Sequence, residues 1–264
     1  MKPAKDNNRK TGMQSTPMNL GLTFNKGMLD KPEEHKHFIA KKWKDYESVI
    51  KDLLNDANSL SNFCIKATVD AEGLLVGASL KTIANKEDKI KLGMYFDYTT
   101  GLPLIKGHSI KGAVVDFLTL NDDFISELAG ILEVKDPTST AEWNKFKANG
   151  IQHIKFHDAI PDLQDQDIFR HYPRIKPKQN ESKYLSDVFT PHPIDVTKEP
   201  NPLSHLRIKE GSCYIFPFSI PSDLQNTFQL VFGLTLRYSH LGSHRRYNLG
   251  RFRDIKEHDC AIIS

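Results

Sequence analysis

Between residues 33 and about 60, apolar side chains recur at helical spacing. Phe38, Ile39, Trp43, Tyr46, Val49, Ile50, Leu53 and Leu54 share one side, and lysines take the other. A long amphipathic helix is expected there. Residues 1–32 lack any sustained period and are interrupted by Pro3, Gly12, Pro17, Gly21 and Gly27, the composition of a flexible arm. Within the arm only Leu20, Leu22 and Phe24 alternate, as a short strand would. After the helix the period changes to two: Phe63, Ile65, Ala67 and Val69 alternate with Cys64, Lys66 and Thr68, the pattern of a half-buried strand.

Gly73 and Gly77 break that pattern. Met94 to Tyr98 then predict a second strand, which leads through Thr100, Gly101, Leu102 and Pro103 into a helix. Ser109 suits the N-cap of this helix, and Ile110, Ala113, Val114, Phe117 and Leu118 form its buried stripe. Residues 121–150 predict two short helices, one on Phe124, Ile125, Leu128, Ile131 and Leu132, the other on Trp143 and Phe146 before Gly150. Strand alternation resumes from Ile151 to His157.

Residues 158–202 form a long polar excursion. Prolines at 173, 177, 191, 193, 200 and 202 exclude regular helix within it. An excursion of this length inside a compact domain either serves function or is disordered, and the apolar Val188, Phe189 and Ile194 favour a protruding hairpin. Next, Leu206 and Ile208, a turn at Glu210 and Gly211, and Cys213 to Ile220 predict a hairpin whose second strand sits at an edge or bulge because of Pro217. Ser222 and Gln225 make a capping box for a helix on Leu224, Phe228, Val231, Phe232 and Tyr238, and Phe252 and Ile255 suggest a closing strand.

Without insertions the order is strand, strand-loop-helix, strand, hairpin strands, helix, strand. The closest template is an α+β fold of the split βαβ, ferredoxin-like (RRM-like) βαββαβ kind, also used by RNA-recognition modules. The expected organisation is one domain over residues 33–264, with a leading helix, helical insertions at about 121–150, a thumb hairpin within about 158–202, and the arm before it.

Overall charge adds little, because 36 Lys and Arg against 33 Asp and Glu leave a net charge of only +3. Charge clustering changes the picture. Residues 237–253 hold Arg237, Arg245, Arg246, Arg251 and Arg253, with His240, His244 and Asn248, and no acidic side chain. Guanidinium groups pair bidentately with phosphate oxygens, while Gly242 and Gly250 let the backbone approach a polyanion closely. A second candidate anion site is Gly107, His108, Ser109, Lys111 and Gly112, where free N–H groups at a helix start meet a lysine. In the excursion, Arg170, Arg174, Lys176, Lys178 and Lys183 are interleaved with Tyr172 and Tyr184.

Cys64, Cys213 and Cys260 are too few and too far apart for a disulfide framework or a zinc site of paired CxxC type. No apolar run reaches the roughly 18 residues of a membrane span. A soluble, cytoplasmic protein without a cofactor, a metal or a membrane contact is expected.

Several motifs in order resemble the RAMP family of CRISPR proteins. They are Pro103-x-Ile105-x-Gly107-x-Ser109-x-Lys111-Gly112, the stretch Phe156 to Pro161, Val188-Phe189-Thr190-Pro191-His192, Pro200-Asn201-Pro202-Leu203, and Gly242 with Gly250-Arg251-Phe252. The combination is similar to the sixth-subunit family of the type III-B (Cmr) effector. The likeness covers roughly residues 63–253, and Asn19-Leu20-Gly21-Leu22 is similar to that family's arm. The chain departs from the family at its last motif, where Ser243, His244, Arg245 and Arg246 replace much of the usual glycine.

This resemblance implies a non-catalytic RNA-binding subunit of an antiviral ribonucleoprotein, capping a filament at the 3′ part of the guide RNA. Its implied partners are guide RNA, target RNA, and the neighbouring backbone RAMP and small subunits. Gly107, His108, Ser109, Lys111, Gly112, Gly242, Ser243, His244, Arg245, Arg246, Asn248 and Arg251 would grip the guide, and Phe189, Thr190, Pro191 and His192 would belong to the thumb. Two alternatives stand beside it. One is a metal-independent RAMP endoribonuclease acting on guide precursor or target RNA, with His108, His157 or His192 as acid or base and Lys111 stabilising phosphate charge. The other is a purely structural assembly subunit. Asp97, Asp116 and Asp158 show no ligand spacing for a metal.

Overall fold

The computed structural model describes residues 47–76, 82–84, 89–92, 95–162, 186–189, 203–208, 210–242 and 249–258. The expected arm, the first part of the leading helix, and most of the long excursion lie outside the described residues.

Helix α1 (Glu47–Leu60) buries Ile50 and Leu54, as its 3.6-residue period requires. Strand β1 (Phe63–Val69) follows at once, and its Phe63, Ile65, Ala67 and Val69 are all nearly inaccessible. Strand β8 (Cys213–Ser219) lies antiparallel beside β1, and β9 (Phe252–His258) covers the other side of β1. The outer neighbour of β8 is an edge strand in two pieces, β4 (Lys155–Phe156) and β5 (Ile160–Asp162). The sheet order is therefore β4/β5, β8, β1, β9, with every pairing antiparallel.

The connection from β1 to β4 contains α2 (Gly107–Leu118), α3 (Asp122–Ile131) and α4 (Ala141–Asn149), so the expected helical insertion is present. The connection from β8 to β9 contains α5 (Gln225–Leu234). Each connection skips one strand, so two β–helix–β units interleave in one sheet.

Pro217 explains the broken edge. It lies inside β8, which has neighbours on both sides, and its carbonyl accepts from the His157 N–H on the edge side (3.3 Å). Proline offers no N–H in return. The edge strand accordingly leaves the ladder over residues 157–159 and rejoins it at Ile160, which puts Asp158 outside the sheet.

Aromatic rings tie the sheet to α5. Phe218 meets Phe228 and Phe232 edge-on at 4.7 and 5.0 Å, Phe216 meets Phe232 and Phe252 at 5.3 and 5.5 Å, and Phe156 joins from β4. Ile215 and Pro217, on the opposite face of β8 by strand alternation, are also buried, and α1 packs against β5 and β8. Both faces of β8 are thus covered.

A second sheet orders β2 (Thr82–Ala84), β3 (Lys89–Leu92), β7 (Leu203–Leu206) and β6 (Ser186–Phe189). Strands β6 and β7 pair antiparallel, and β7 runs parallel to β3.

Several local expectations are corrected. Leu206 pairs in the second sheet and Ile208 bridges Leu74, so no hairpin joins them to Cys213. Residues 95–100 make one bridge, Phe96 to Pro103, and then a turn instead of a strand; Met94 lies outside the described residues. The Ser222 capping box is absent, because a 3-10 turn over Ser222–Leu224 precedes α5 and leaves Leu224 at its N-cap. Ser109 is not an N-cap either: α2 begins two residues earlier, at Gly107. Cys64 is disulfide-bonded, and Cys213 is a free thiol. Among the described residues no helix is long and apolar enough to cross a membrane.

Candidate nucleic-acid interface

The first candidate motif sits where α2 crosses the gap in the edge strand. Its lead-in is fixed by two backbone bonds between Ile105 and Ala159 (2.8 and 3.1 Å) and by the buried Tyr214 hydroxyl, which donates to the Pro103 carbonyl (3.0 Å). A Cβ on Gly107 would lie 2.2 Å from the Phe156 carbonyl oxygen, so only glycine lets the helix start this close to the sheet.

The carboxylate freed by the gap caps the helix. Asp158 Oδ1 accepts from the Gly107 N–H (2.8 Å), and its Oδ2 accepts from Lys106 Nζ (2.8 Å). The positive end of α2 therefore already holds an anion, supplied by the protein itself. This long-range cap is why the helix does not need Ser109.

Lys106 also lies 3.7 Å from Asp97 and 4.5 Å from the Tyr95 ring centre. Burial alone would lower its pKa, but the Asp158 hydrogen bond and charge outweigh that and raise it. Lys106 and Gly107 are thus committed to internal contacts, and the Ser109 and Ile110 amides turn back onto the Lys106 carbonyl (2.9 and 3.1 Å). What the motif turns toward solvent is His108, Lys111 and Gly112, with Ser109 half-buried. Gly112 has nothing within 4 Å of the place a Cβ would occupy, so packing in the fold does not demand it.

The second motif begins where α5 passes into a π-helical turn, Thr235–Ser239. This turn packs on α2, and Ser239 Oγ donates to the Ala113 carbonyl (3.4 Å). The two motifs, far apart in sequence, therefore start from adjoining elements.

After His240, which has φ of 59°, the chain forms a neck. The Leu241 N–H donates to the Gly250 carbonyl (2.8 Å), the Gly250 N–H donates to the Gly73 carbonyl (2.9 Å), and Leu241 and Leu249 are buried beneath. Gly242 and Gly250 have φ of 87° and 86°, and a Cβ on either would strike a backbone oxygen, of Leu75 at 2.1 Å and of Leu241 at 1.8 Å. These glycines serve close backbone packing. Arg251 is aimed by its Nε, which donates to His240 Nε2 (2.7 Å), so the neutral imidazole carries its proton on Nδ1. Arg237 is exposed.

Ser243, His244, Arg245, Arg246 and Asn248 lie outside the described residues, although the neck fixes both ends of their segment. So do Thr190, Pro191 and His192 of the expected thumb. Phe189 is the last residue of β6.

Of the catalytic candidates, His157 is engaged in a structural contact. Ser219 Oγ donates to the Leu60 carbonyl (2.7 Å), so the 2.9 Å contact with His157 Nε2 must be donated by the histidine. His157 is therefore not placed to take a proton from Ser219. Burial first, then Lys155, lowers its pKa against the opposing pull of Asp158. Asp97 and Asp158 converge on Lys106, and no acidic or histidine-rich cluster with metal-ligand geometry occurs among the described residues.

Sequence reasoning missed Lys106, Asp97 and the cap by Asp158. Asp158 lies 51 positions from Gly107, and no local pattern marks such a pair. Pro217 carried the signal that could have found it, since a proline inside a strand implies an interrupted neighbour.

No protein-family model and no curated protein sequence matches the chain. Among solved structures, a chain of the Type III-B Cmr-beta complex bound to cognate target RNA, determined by cryo-EM, matches with a TM-score of 0.50 and 20% identity, over 84% of this chain and 68% of that one. A chain of a Type IV-B CRISPR complex gives 0.41 and 12%, over 76% and 92%. Cmr6 from Pyrococcus furiosus gives 0.35 and 16%, over 73% and 96%. The first of these shows a shared fold.

Proposed function

We propose that the chain is a non-catalytic RNA-binding subunit of a type III-B CRISPR effector, built on a ferredoxin-like domain and holding the 3′ part of the guide RNA. The observation that carries this reading is the fold shared with a chain of an RNA-bound type III-B complex. The strand order β4/β5, β8, β1, β9 supports the ferredoxin-like assignment, because it is the order of a split βαβ pair. In this reading His108 and Lys111 from α2, Arg251 above the neck, and Arg245 and Arg246 on the segment it pins meet the guide phosphates. Phosphate contacts of this kind set affinity and register without reading sequence. The β6–β7 pair forms the root of a thumb. The commitment of His157 to Ser219 favours binding over ribonuclease chemistry.

Salt dependence tests the phosphate grip. Replacing Arg245 and Arg246 together with alanine is expected to weaken binding of single-stranded RNA and to flatten the plot of log affinity against log salt by about 0.7 to 1 per lost phosphate contact. An unchanged slope would remove these residues from the interface and favour a structural assembly role.

A further inference from the structure

We infer that the cleft between α5 and β9 receives a splayed-out base of single-stranded RNA. The inference rests on the RNA-binding reading above and adds a base pocket to its phosphate contacts.

The cleft has a volume of about 440 Å³, within the range of small-ligand sites. One wall is a stripe of α5, formed by Asn226, Gln229, Leu230 and Gly233 and continued by Arg237 on the π-helical turn. The other walls are Ile255 of β9 and, past the end of α3, Leu132 and Val134.

Two departures from regular backbone build these walls. Beyond α3, Glu133 has φ of 54°, and the Glu133 and Val134 amides turn back onto the Gly130 and Ala129 carbonyls (3.2 and 3.1 Å), a closure that usually takes glycine. In β9, Asp254 and Ile255 stand opposite the single residue Ala67, with Asp254 at φ of 50°. Phe252 and Ile255 would face opposite sides of a regular strand. The bulge lets Phe252 pack on Phe216 while Ile255 joins α5 in the cleft.

Gly233 keeps the cleft deep. Glycine is a poor helix former, and at this position a Cβ would have nothing within 4 Å, so packing in the fold does not require it.

The chemistry of the lining suits a base. Apolar side chains sandwich the flat ring of a base that has left its stack, and the Asn226 and Gln229 carboxamides each bring donors and an acceptor to its edge. Arg237 is exposed and no acidic residue lines the cleft, so the adjoining phosphate meets a guanidinium without a competing carboxylate there. Arg237 also opens the basic segment 237–253, which joins the cleft to the phosphate contacts proposed above the neck. An apolar side chain of a partner protein would fill the walls and leave this polar set unused.

The test uses the full chain, a labelled single-stranded RNA oligonucleotide, and three variants: Gly233→Leu, the pair Asn226→Ala with Gln229→Ala, and Lys111→Ala. Gly233→Leu starts its side chain in open space and should keep or raise resistance to urea. It is nevertheless expected to weaken RNA binding by roughly 5- to 150-fold with an unchanged salt slope, because base contacts release no counterions. The carboxamide pair should weaken binding by roughly 2- to 10-fold, and Lys111→Ala should reduce the slope. If a folded Gly233→Leu binds like the wild type while Lys111→Ala is weakened, the base pocket is wrong, the RNA-binding reading survives, and the cleft is left to a protein partner. Should Gly233→Leu not fold, the carboxamide pair decides, and wild-type affinity in that variant overturns the pocket. A wild-type chain that fails to bind the oligonucleotide removes the RNA-binding reading and this inference together.

Discussion

Gly250→Ala is expected to destabilise the protein by about 2–5 kcal/mol, the sum of a left-handed backbone forced on a residue with a side chain and of overpacking against a fixed neighbour. The position has φ of 86°, and the added Cβ would stand 1.8 Å from the Leu241 carbonyl oxygen. That oxygen cannot move away cheaply, because the Leu241 N–H is bonded to Gly250 itself and Gly250 is bonded to Gly73. The damage should spread to the β1–β9 side of the sheet, since the Arg251 carbonyl accepts from Asp70 directly after the neck. Urea denaturation measures the loss. A Gly250→Ala protein within about 1 kcal/mol of the wild type would mean that the neck is not built as described.

Phe218→Ala should cost a similar amount, about 3–5 kcal/mol, by opening a cavity at the centre of the core. Phe218 is fully buried and touches three rings from two elements: Phe156 on β4, and Phe228 and Phe232 on α5. Its β-sheet partner is Phe63, the first residue of β1, so the cavity would loosen the helix layer and the sheet together. The same denaturation experiment applies, with an unchanged dependence on urea showing that the unfolding reaction remains the same. A loss below about 1 kcal/mol would place this ring outside the core.

The parts of the fold legible in the sequence are those where one local period decides burial. The stripe Ile110, Ala113, Val114 and Phe117 is buried as its spacing predicts, and so are Phe63, Ile65, Ala67 and Val69. Trp143 and Phe146 mark α4 in the same way. Strands β2 and β3 were not legible, because Thr82–Ala84 and Lys89–Leu92 are too short to establish a period, and β3 pairs on its other side with β7, more than a hundred residues later. Proline was informative but ambiguous: Pro217 announced an edge or a bulge, and the bulge is in its neighbour.

The candidate site was legible as chemistry and less so as geometry. Glycine and basic residues drew attention to both motifs, yet Gly107, Gly242 and Gly250 serve backbone crossings inside the fold, and the helix end they suggested is filled by Asp158. The residues of the two motifs that face outward include His108, Lys111, Arg237 and Arg253, with Arg251 half-buried above the neck. A carboxylate that caps a helix from 51 positions away arises only once the sheet has formed. For that reason the sequence suggested a phosphate where the protein uses its own side chain.

The most direct test of the RNA-binding account is the affinity of the full wild-type chain for a labelled single-stranded RNA, measured across a range of salt concentrations. Each phosphate held by a cationic side chain contributes about −0.7 to the slope of log affinity against log salt, so a surface with three or more such contacts predicts about −2 or steeper. Absence of binding, or a slope near zero, would contradict it.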